Sequence, residues 1–269
     1  MEGSILSDGS YGPFEGSIDD EVVHGHYRRE GTWAPELLEL LVDGLFPAGQ
    51  GTFLDVGANI GLVSIPLVER RGVRCLAFEP EPRNYRWLER NIARHGLESL
   101  FQTFEVALHS ENQTLGFELS ATNFGDHRLR GEADAETDSS RESISVPGRR
   151  LDDLVCLAEL PRPIVAKVDT QGAEVRVLRG APRSLPLIDH LVCEYWPYGL
   201  HRMGDSAEML NEILKAFPFG AVLSAEGLPH LLTGTQEVLE GLSWIPTHGS
   251  DRGFYDLLLS RSERLPAFA

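Results

Sequence analysis

The sequence contains little cysteine and no apolar run long enough to cross a membrane. Its three cysteines, Cys75, Cys156 and Cys193, show no Cys-x-x-Cys or Cys/His spacing that would indicate a zinc site. No apolar run approaches the roughly 20 residues that a membrane-spanning helix needs. The N-terminus lacks the basic and apolar regions of a signal peptide. We therefore expect a cytoplasmic protein without a membrane partner.

Lysine is almost absent, and positive charge is scarce overall. Lys167 and Lys215 are the only lysines, and 24 basic residues stand against 41 acidic ones, which gives a net charge of −17. An acidic surface repels phosphate groups, so we expect no nucleic-acid partner. With 42% hydrophobic and 24% charged residues, the composition is that of an ordinary globular protein. A length of 269 residues suits one large domain with an added arm.

Short apolar strands alternate with helices along most of the chain. The patterns predict strands at 51–57, 73–78, 101–108, 164–169, 190–195, 219–224 and 254–260. They predict helices at 36–42, 60–71, 82–95, 151–160, 174–180 and 206–216. This alternation indicates an α/β fold with a doubly wound, Rossmann-like, seven-stranded and mostly parallel sheet.

Two segments depart from the alternation of strands and helices. Residues 1–33 are polar and glycine-rich, which predicts an N-terminal arm before a main domain over 34–269. Within an insertion at about 110–148, residues 113–119 and 143–147 alternate like an antiparallel pair, which predicts a small inserted β-hairpin. The acidic stretch at 131–143 has no apolar anchor, so we expect it to be a surface loop.

The residues that could bind a ligand or take part in catalysis lie at the ends of the predicted strands. Ligands of such sheets bind at the carboxyl ends of the strands. The turn at 55–61, DVGANIG, lacks the full G-x-G-x-x-G pattern, so we expect no pyrophosphate there. Glu79 follows Gly61 by 18 residues and could accept both hydroxyls of a ribose, while Asp55 could accept from an amino group. A ligand with an amino group and a ribose but no phosphate fits, and S-adenosylmethionine is such a ligand. The alternative is that both acids are simply solvated.

Several motifs taken together resemble the FkbM family of S-adenosylmethionine-dependent methyltransferases. In chain order they are DVGANIG at 55–61, FEPEPRN at 78–84, Leu88 with Asn91, LDDL at 151–154, KVDTQGAE at 167–174 and LRGA at 178–181. The matching stretches span residues 51 to about 195, whereas residues 1–33 and the region after 200 match only loosely. The resemblance implies a class I methyltransferase fold. The family pattern after the fourth strand carries Asp-x-Glu-Gly-x-Glu, and here Gln171 replaces the first of those glutamates.

The same resemblance assigns cofactor-binding residues. It implies Asp55, Gly57 and Asn59 on the methionine side, Glu79 at the ribose, Pro80 in the turn beneath it and Ala107 near the adenine. A small side chain such as that of Ala107 suits a position where a flat ring packs.

The acids that end the fourth and fifth strands are the candidate catalytic residues. A hydroxyl acceptor needs a general base to remove its proton, and Asp169 and Glu194 lie where that base is expected. Asp169 could instead bind the cofactor or a helix N-terminus. We favour a mechanism without a metal ion, although a divalent cation bound by both acids stays an open alternative. If neither acid is the base, His109 and His127 are next.

The sequence thus predicts a methyltransferase that places a methyl group on a hydroxyl of a small molecule, either a natural product of secondary metabolism or a sugar. N-methylation of a small molecule is an alternative, and so is a nicotinamide-dependent oxidoreductase on the same fold. A protein that binds the cofactor without turnover is a third. A homodimer is possible in each case.

Overall fold

A computed structural model describes residues 3–131, 141–223, 232–242 and 253–268. The strands within these ranges are β1 (Ser4–Gly9), β2 (Gly12–Ser17), β3 (Thr52–Val56), β4 (Arg74–Phe78), β5 (Phe101–Phe104), β6 (Ala107–Leu108), β7 (Gln113–Leu119), β8 (Arg128–Leu129), β9 (Glu142–Arg149), β10 (Ile164–Val168), β11 (His190–Tyr195), β12 (Phe219–Val222), β13 (Thr233–Gly234) and β14 (Tyr255–Ser260).

The α-helices of the same ranges are α1 (Val23–Glu30), α2 (Pro35–Glu39), α3 (Ser64–Arg71), α4 (Pro82–Arg94), α5 (Leu151–Leu154), α6 (Glu174–Arg179), α7 (Pro197–Arg202), α8 (Ala207–Leu214) and α9 (Thr235–Gly241). A π-helical turn, Leu40–Leu45, continues α2. Short 3-10 turns lie at Phe124–Asp126, Leu157–Glu159, Leu185–Leu187 and Pro266–Phe268. None of these described helices has both the length and the apolar character that a bilayer span requires.

The central sheet of the described chain contains eight strands in the order β13-β12-β14-β11-β10-β3-β4-β5. The strands from β11 to β5 run parallel, whereas β14, β12 and β13 join antiparallel. The predicted count of seven strands is therefore wrong, since β13 adds an eighth at the edge. With two residues, β13 is too short to show a pattern of period two in the sequence.

Consecutive residues of the central strands enter two separate hydrophobic clusters, because side chains alternate between the faces of a strand. On β3, Phe53 belongs to one cluster and Leu54 to the other, and on β10 Val165 and Ala166 divide in the same way. The first cluster includes side chains of α3 and α4, and the second includes side chains of α6 and α8. A sheet covered on both faces needs strands that are apolar along most of their length, as these are.

A second sheet has the strand order β6-β9-β7-β8. β7 and β9 pair antiparallel over residues 113–119 and 142–148, close to the expected positions. They do not form the small inserted hairpin that we predicted, because the chain between them also forms β8 and because β6 pairs with β9. Most of the acidic segment predicted as a loop, residues 132–140, lies outside the described residues.

The single strand predicted over 101–108 is divided between the two sheets. β5 ends at Phe104 in the central sheet, and β6 begins at Ala107 in the second. Phe104 and Val106 both lie against the same hydrophobic cluster, so the apolar pattern continues across the break. Ala107 is therefore the first residue of the second sheet, whereas the sequence placed it at the end of the third strand of the central sheet.

The N-terminal residues form the hairpin β1–β2 and then α1, a helix that the sequence did not predict. Glu15 ties the hairpin to α4. Its backbone N–H donates to Asn91 Oδ1 at 2.7 Å, and its carboxylate pairs with Arg90 at 2.9 Å. The division of the chain at residue 33 stays a prediction.

The helix predicted over 151–160 is limited to α5, because Val155 is extended, with φ −140° and ψ 139°. Within α5 the buried Asp152 carboxylate accepts the backbone N–H groups of Arg183 at 2.8 Å and Ser184 at 2.9 Å. It also accepts the Ser184 hydroxyl at 2.6 Å. Burial alone would raise the pKa of Asp152, but these hydrogen bonds hold it below its usual value.

We expect Asp152→Ala to lower the free energy of unfolding by about 2–4 kcal/mol, because it strands three donors at about 1 kcal/mol each. The adjacent, exposed Asp153→Ala is the matched control and should cost about 0.5 kcal/mol or less. Urea denaturation at several pH values measures both. The folded pKa of Asp152 is lowered, so its contribution is present above the unfolded pKa and is lost as pH falls through the folded pKa. Equal costs for the two variants would contradict the assignment.

Candidate active site

A cavity of about 680 Å³ opens at the carboxyl ends of the parallel strands. This volume lies in the range of small-molecule sites. The cavity brings together all eight residues that were assigned to the cofactor or named as candidate catalytic acids: Asp55, Gly57, Asn59, Glu79, Pro80, Ala107, Asp169 and Glu194. Their common location is observed, whereas their individual roles stay predictions.

The turn after β3 is shaped by a close approach between two loops. Gly57 has φ +86°, and a Cβ atom there would lie 2.1 Å from the backbone carbonyl oxygen of Asp169. Only glycine fits such a contact. We expected the glycine to admit a ligand to the backbone, and the structure adds a second reason, which is that it lets the loops after β3 and β10 meet.

Glu79 closes the other side of this turn. Its Oε2 accepts the backbone N–H of Asn59 at 2.8 Å, and its Oε1 accepts that of Glu81 at 2.9 Å. Asn59 has φ +53° and donates its side-chain amide to the carbonyl of Phe124 at 3.0 Å. Burial raises the pKa of Glu79 to about 8, although the two N–H groups act in the opposite direction.

Lys167 connects the cofactor side of the cavity with the candidate catalytic side. It lies on β10, and its buried ammonium is 3.8 Å from Asp55 Oδ1 and 3.2 Å from Asp169 Oδ2. Burial opposes its charge, but Asp169 and Asp55 outweigh burial and raise the pKa of Lys167 above its usual value. Burial raises the pKa of Asp55, and Lys167 limits that rise.

The two candidate catalytic acids differ in their surroundings. Glu194 is buried, and burial together with the nearby Asp169, Glu174 and Asp256 raises its pKa well above the usual value. The side chain of Asp169 is 38% exposed and pairs with Lys167. Burial in turn raises the pKa of Asp256 to about 6.

Gln171 bridges these two acids. Its side-chain Nε2 lies 2.9 Å from Asp169 Oδ1 and 3.2 Å from Glu194 Oε1, so the amide donates toward both carboxyl groups. An amide, unlike the glutamate of the family pattern, adds no further negative charge between them.

The remaining walls combine aromatic side chains with one basic corner. Trp33, Trp196 and Tyr198 line the cavity, as do Arg128 and Arg141, both of which bond to Asp126.

Of the two histidines named as alternative bases, only one lies at the cavity. His127 lies on the cavity wall, whereas His109 does not line it. His127 Nδ1 accepts the Ser120 N–H at 3.0 Å, and burial lowers its pKa to about 3.

The residues that line the cavity are chemically suited to the expected cofactor, S-adenosylmethionine. Both carboxylate oxygens of Asp55 are buried without a hydrogen-bond partner in the described structure, so they can accept from a donor on a ligand. Glu79 follows the neighbouring strand, and Val106 and Ala107 supply an apolar wall. Among the described residues, no group of three or more His, Cys, Asp or Glu side chains is placed to hold a metal ion.

Sequence reasoning missed two residues of this site, Lys167 and Asp256. A lysine inside the apolar run of β10 was a usable signal, since the chain has only one other lysine. Asp256 likewise interrupts the apolar β14, but its position opposite Glu194 depends on antiparallel strand pairing that a sequence does not reveal.

The fold and the cavity define an α/β protein with a ligand site at the carboxyl ends of its parallel strands. A family model, described as the methyltransferase FkbM domain, matches residues 55–215. The match spans more than half of the chain, so the protein belongs to the FkbM methyltransferase family. This membership bears out the resemblance seen in the sequence.

Two curated relatives show how far the sequence similarity extends. The hexuronic acid methyltransferase AglP of Haloferax volcanii is 29% identical over 60% of this chain and 64% of its own length, so the match leaves about a third of AglP uncovered. Methyltransferase sdnD of Sordaria araneosa is 30% identical over 55% of this chain and 67% of its own length.

A crystal structure of a methyltransferase FkbM from Methylobacillus flagellatus superposes with a TM-score of 0.47 at 19% identity, over 78% of this chain and 44% of that one. The family assignment rests on the sequence match and takes nothing from this superposition.

We expect Lys167→Met to lower the free energy of unfolding by about 3–5 kcal/mol, because it leaves the buried Asp55 carboxylate, and the partly exposed Asp169 carboxylate, without their cation. Lys215→Met removes the other lysine, which is exposed, and should cost about 0.5 kcal/mol or less. The double variant Asp55→Asn/Lys167→Met should recover part of the loss. Urea denaturation of the four proteins measures these differences. A Lys167→Met protein as stable as Lys215→Met would contradict the role of the buried ammonium.

Proposed function

We propose that the protein transfers a methyl group from S-adenosylmethionine to a hydroxyl group of a small molecule, such as a sugar or another natural product. The observation that carries this proposal is that a single cavity holds two separate sets of acids. Asp55 and Glu79 lie at one side, and Asp169 and Glu194 lie at the other, with Lys167 between them.

The first set of acids binds the cofactor. Glu79 uses one lone pair of each oxygen for a backbone N–H, and the second lone pair of each remains for a ribose hydroxyl. Asp55, Gly57 and Asn59 line the methionine side, and Ala107 borders the adenine. When bound, S-adenosylmethionine supplies a methyl group that is already activated on a sulfonium sulfur.

The second set of acids handles the acceptor proton. Asp169 is partly exposed and stands beside Lys167, so its carboxylate accepts the proton that leaves the acceptor hydroxyl. Burial and the neighbouring acids raise the pKa of Glu194 well above its usual value, which favours the protonated form, so we assign Glu194 as a neutral neighbour of Asp169. Loss of the hydroxyl proton to Asp169 would let the acceptor oxygen bond to the methyl carbon while the bond between that carbon and the sulfonium sulfur breaks, so that S-adenosylhomocysteine leaves and the proton remains on Asp169.

Two observations favour a hydroxylated acceptor. The carboxyl groups of Asp169 and Glu194 can accept hydrogen bonds from hydroxyls, and the aromatic side chains of Trp196 and Tyr198 in the cavity wall can pack against an apolar ring surface. AglP is named as a hexuronic acid methyltransferase, which makes hexuronic acids the first acceptors to try.

The direct test is an assay with labelled S-adenosylmethionine and a panel of hexuronic acids, neutral hexoses, phenols and matched amines. We expect label in a hydroxylated compound, and mass spectrometry of the product should show a methyl ether. Label in amines alone would replace the proposal by N-methylation. Absence of label in every compound, although S-adenosylhomocysteine binds, would favour a binding protein without turnover.

For the cofactor, we expect Glu79→Ala to weaken S-adenosylhomocysteine binding at least tenfold, since a lost charge-assisted hydrogen bond is worth about 1.5–3 kcal/mol. Glu105→Ala, an exposed acid after the adjacent strand, is the matched control. Ribose hydroxyls bind the ionised carboxylate, so wild-type affinity should rise as pH increases toward about 8, the pKa of Glu79. Calorimetry of the variants, with urea denaturation in parallel, checks this. Unchanged affinity in a folded Glu79→Ala protein would contradict the assignment.

For catalysis, we expect Asp169→Asn to lower kcat by roughly 10²–10⁴-fold with S-adenosylhomocysteine binding retained. Glu194→Gln copies the shape of a neutral carboxyl group, so we expect a loss of less than about tenfold. The labelled-methyl assay gives both values. The opposite result would contradict this assignment. If Glu194→Gln lowers kcat by roughly 10²–10⁴-fold while Asp169→Asn stays active, Glu194 is the base.

A further inference from the structure

We propose that Gln171 is a positioning residue, whose side-chain amide holds the Asp169 and Glu194 carboxyl groups in one fixed arrangement and directs Asp169 toward the acceptor. The proposal rests on the methyl-transfer function set out above. Gln171 itself cannot accept a proton, because its amide has no basic group.

The backbone of Gln171 is fixed from both sides. Glu174 Oε1 accepts the backbone N–H of Thr170 at 2.9 Å and that of Gly172 at 3.3 Å. The Gln171 carbonyl accepts Arg202 Nη2 at 2.8 Å. Gln171 has φ +57°, a left-handed conformation that is uncommon outside glycine. Such a conformation persists where the surrounding contacts determine it, as they do here.

The amide completes the support of the Asp169 carboxyl group. Gln171 Nε2 lies 2.9 Å from Asp169 Oδ1, and Lys167 Nζ lies 3.2 Å from Asp169 Oδ2. Each oxygen of Asp169 therefore has one of these two donors beside it, and the two donors together set the plane of the carboxyl group. The same Nε2 lies 3.2 Å from Glu194 Oε1, so a single side chain contacts both acids and sets the spacing between them.

The charges around this bridge explain why an amide suits the position. The groups that face it from the surrounding elements are Asp55 on β3, Lys167 on β10, Glu174 on α6, Glu194 on β11, Arg202 on α7 and Asp256 on β14. Carboxyl groups already outnumber cations there. A glutamate at position 171, as in the family pattern, would add another carboxyl group. Two carboxyl groups so near each other favour a state in which one of them keeps its proton.

The first arm of the test measures stability against pH for Gln171→Glu. The folded protein should retain one more proton than the unfolded chain, so raising the pH should destabilise this variant relative to wild type. Its unfolding equilibrium constant should rise by up to about tenfold per pH unit between about pH 5 and pH 8. The matched control is Gln102→Glu, at an exposed position on β5 outside the cavity, and its curve should run parallel to wild type.

The second arm uses Gln171→Met, which keeps the length of the side chain and removes the amide. We expect kcat to fall by about tenfold or more because the base is no longer held in place. The dissociation constant of S-adenosylhomocysteine should stay within about twofold. The acceptor is the compound from the hexuronic acid, hexose and phenol panel that wild type methylates.

The two arms separate the possible failures. A Gln171→Glu curve parallel to wild type, or an unchanged kcat in Gln171→Met, would overturn the positioning role. A parallel Gln171→Glu curve that is displaced to lower stability by the same amount at every pH would show a purely structural contact. If wild type methylates nothing, the proposed function fails, and the proposal that depends on it falls too, even where the pH curves show that Gln171 couples the two acids.

Discussion

One buried ammonium group allows the floor of the cavity to hold its acids. Carboxylates removed from water are costly unless a charge or a donor accompanies them. Lys167 stands on the central strand β10 and faces Asp55 on one side and Asp169 on the other. Because β3 and β10 are adjacent and parallel, with Asp55 opposite Lys167, one lysine reaches an acid on the neighbouring strand and an acid directly after its own strand.

The acids divide into groups with different chemical tasks because their partners differ. Glu79 accepts one backbone N–H group from the turn after β3 and one from the turn after β4, which holds the two turns together and leaves lone pairs free. Asp55 has a cation nearby and no hydrogen-bond partner in the described structure. Asp169 is oriented by a lysine and an amide, whereas Glu194 lies among other acids. Proximity to charge and hydrogen bonding therefore matter more here than residue type.

The sequence predicts the parts of this arrangement that depend on local patterns. Apolar runs located the parallel strands, and the acids at their ends proved to line one cavity. The rest depends on pairing between distant segments. Asp256 lies opposite Glu194 only because β14 joins β11 antiparallel. The bridge formed by Gln171 needs the loop after β10 to lie beside β11. The sequence did not predict the break between β5 and β6, because hydrophobic side chains continue across it.

The central claim is that this cavity binds S-adenosylmethionine, and calorimetric titration of the wild-type protein tests it most directly. S-adenosylmethionine, S-adenosylhomocysteine and NADH would be titrated separately, and each methionine-derived ligand would then be added to protein saturated with the other. The account predicts that the first two bind at one site per chain and exclude each other, and that NADH gives no binding heat. Binding of NADH, with no binding of either methionine-derived ligand, would contradict it.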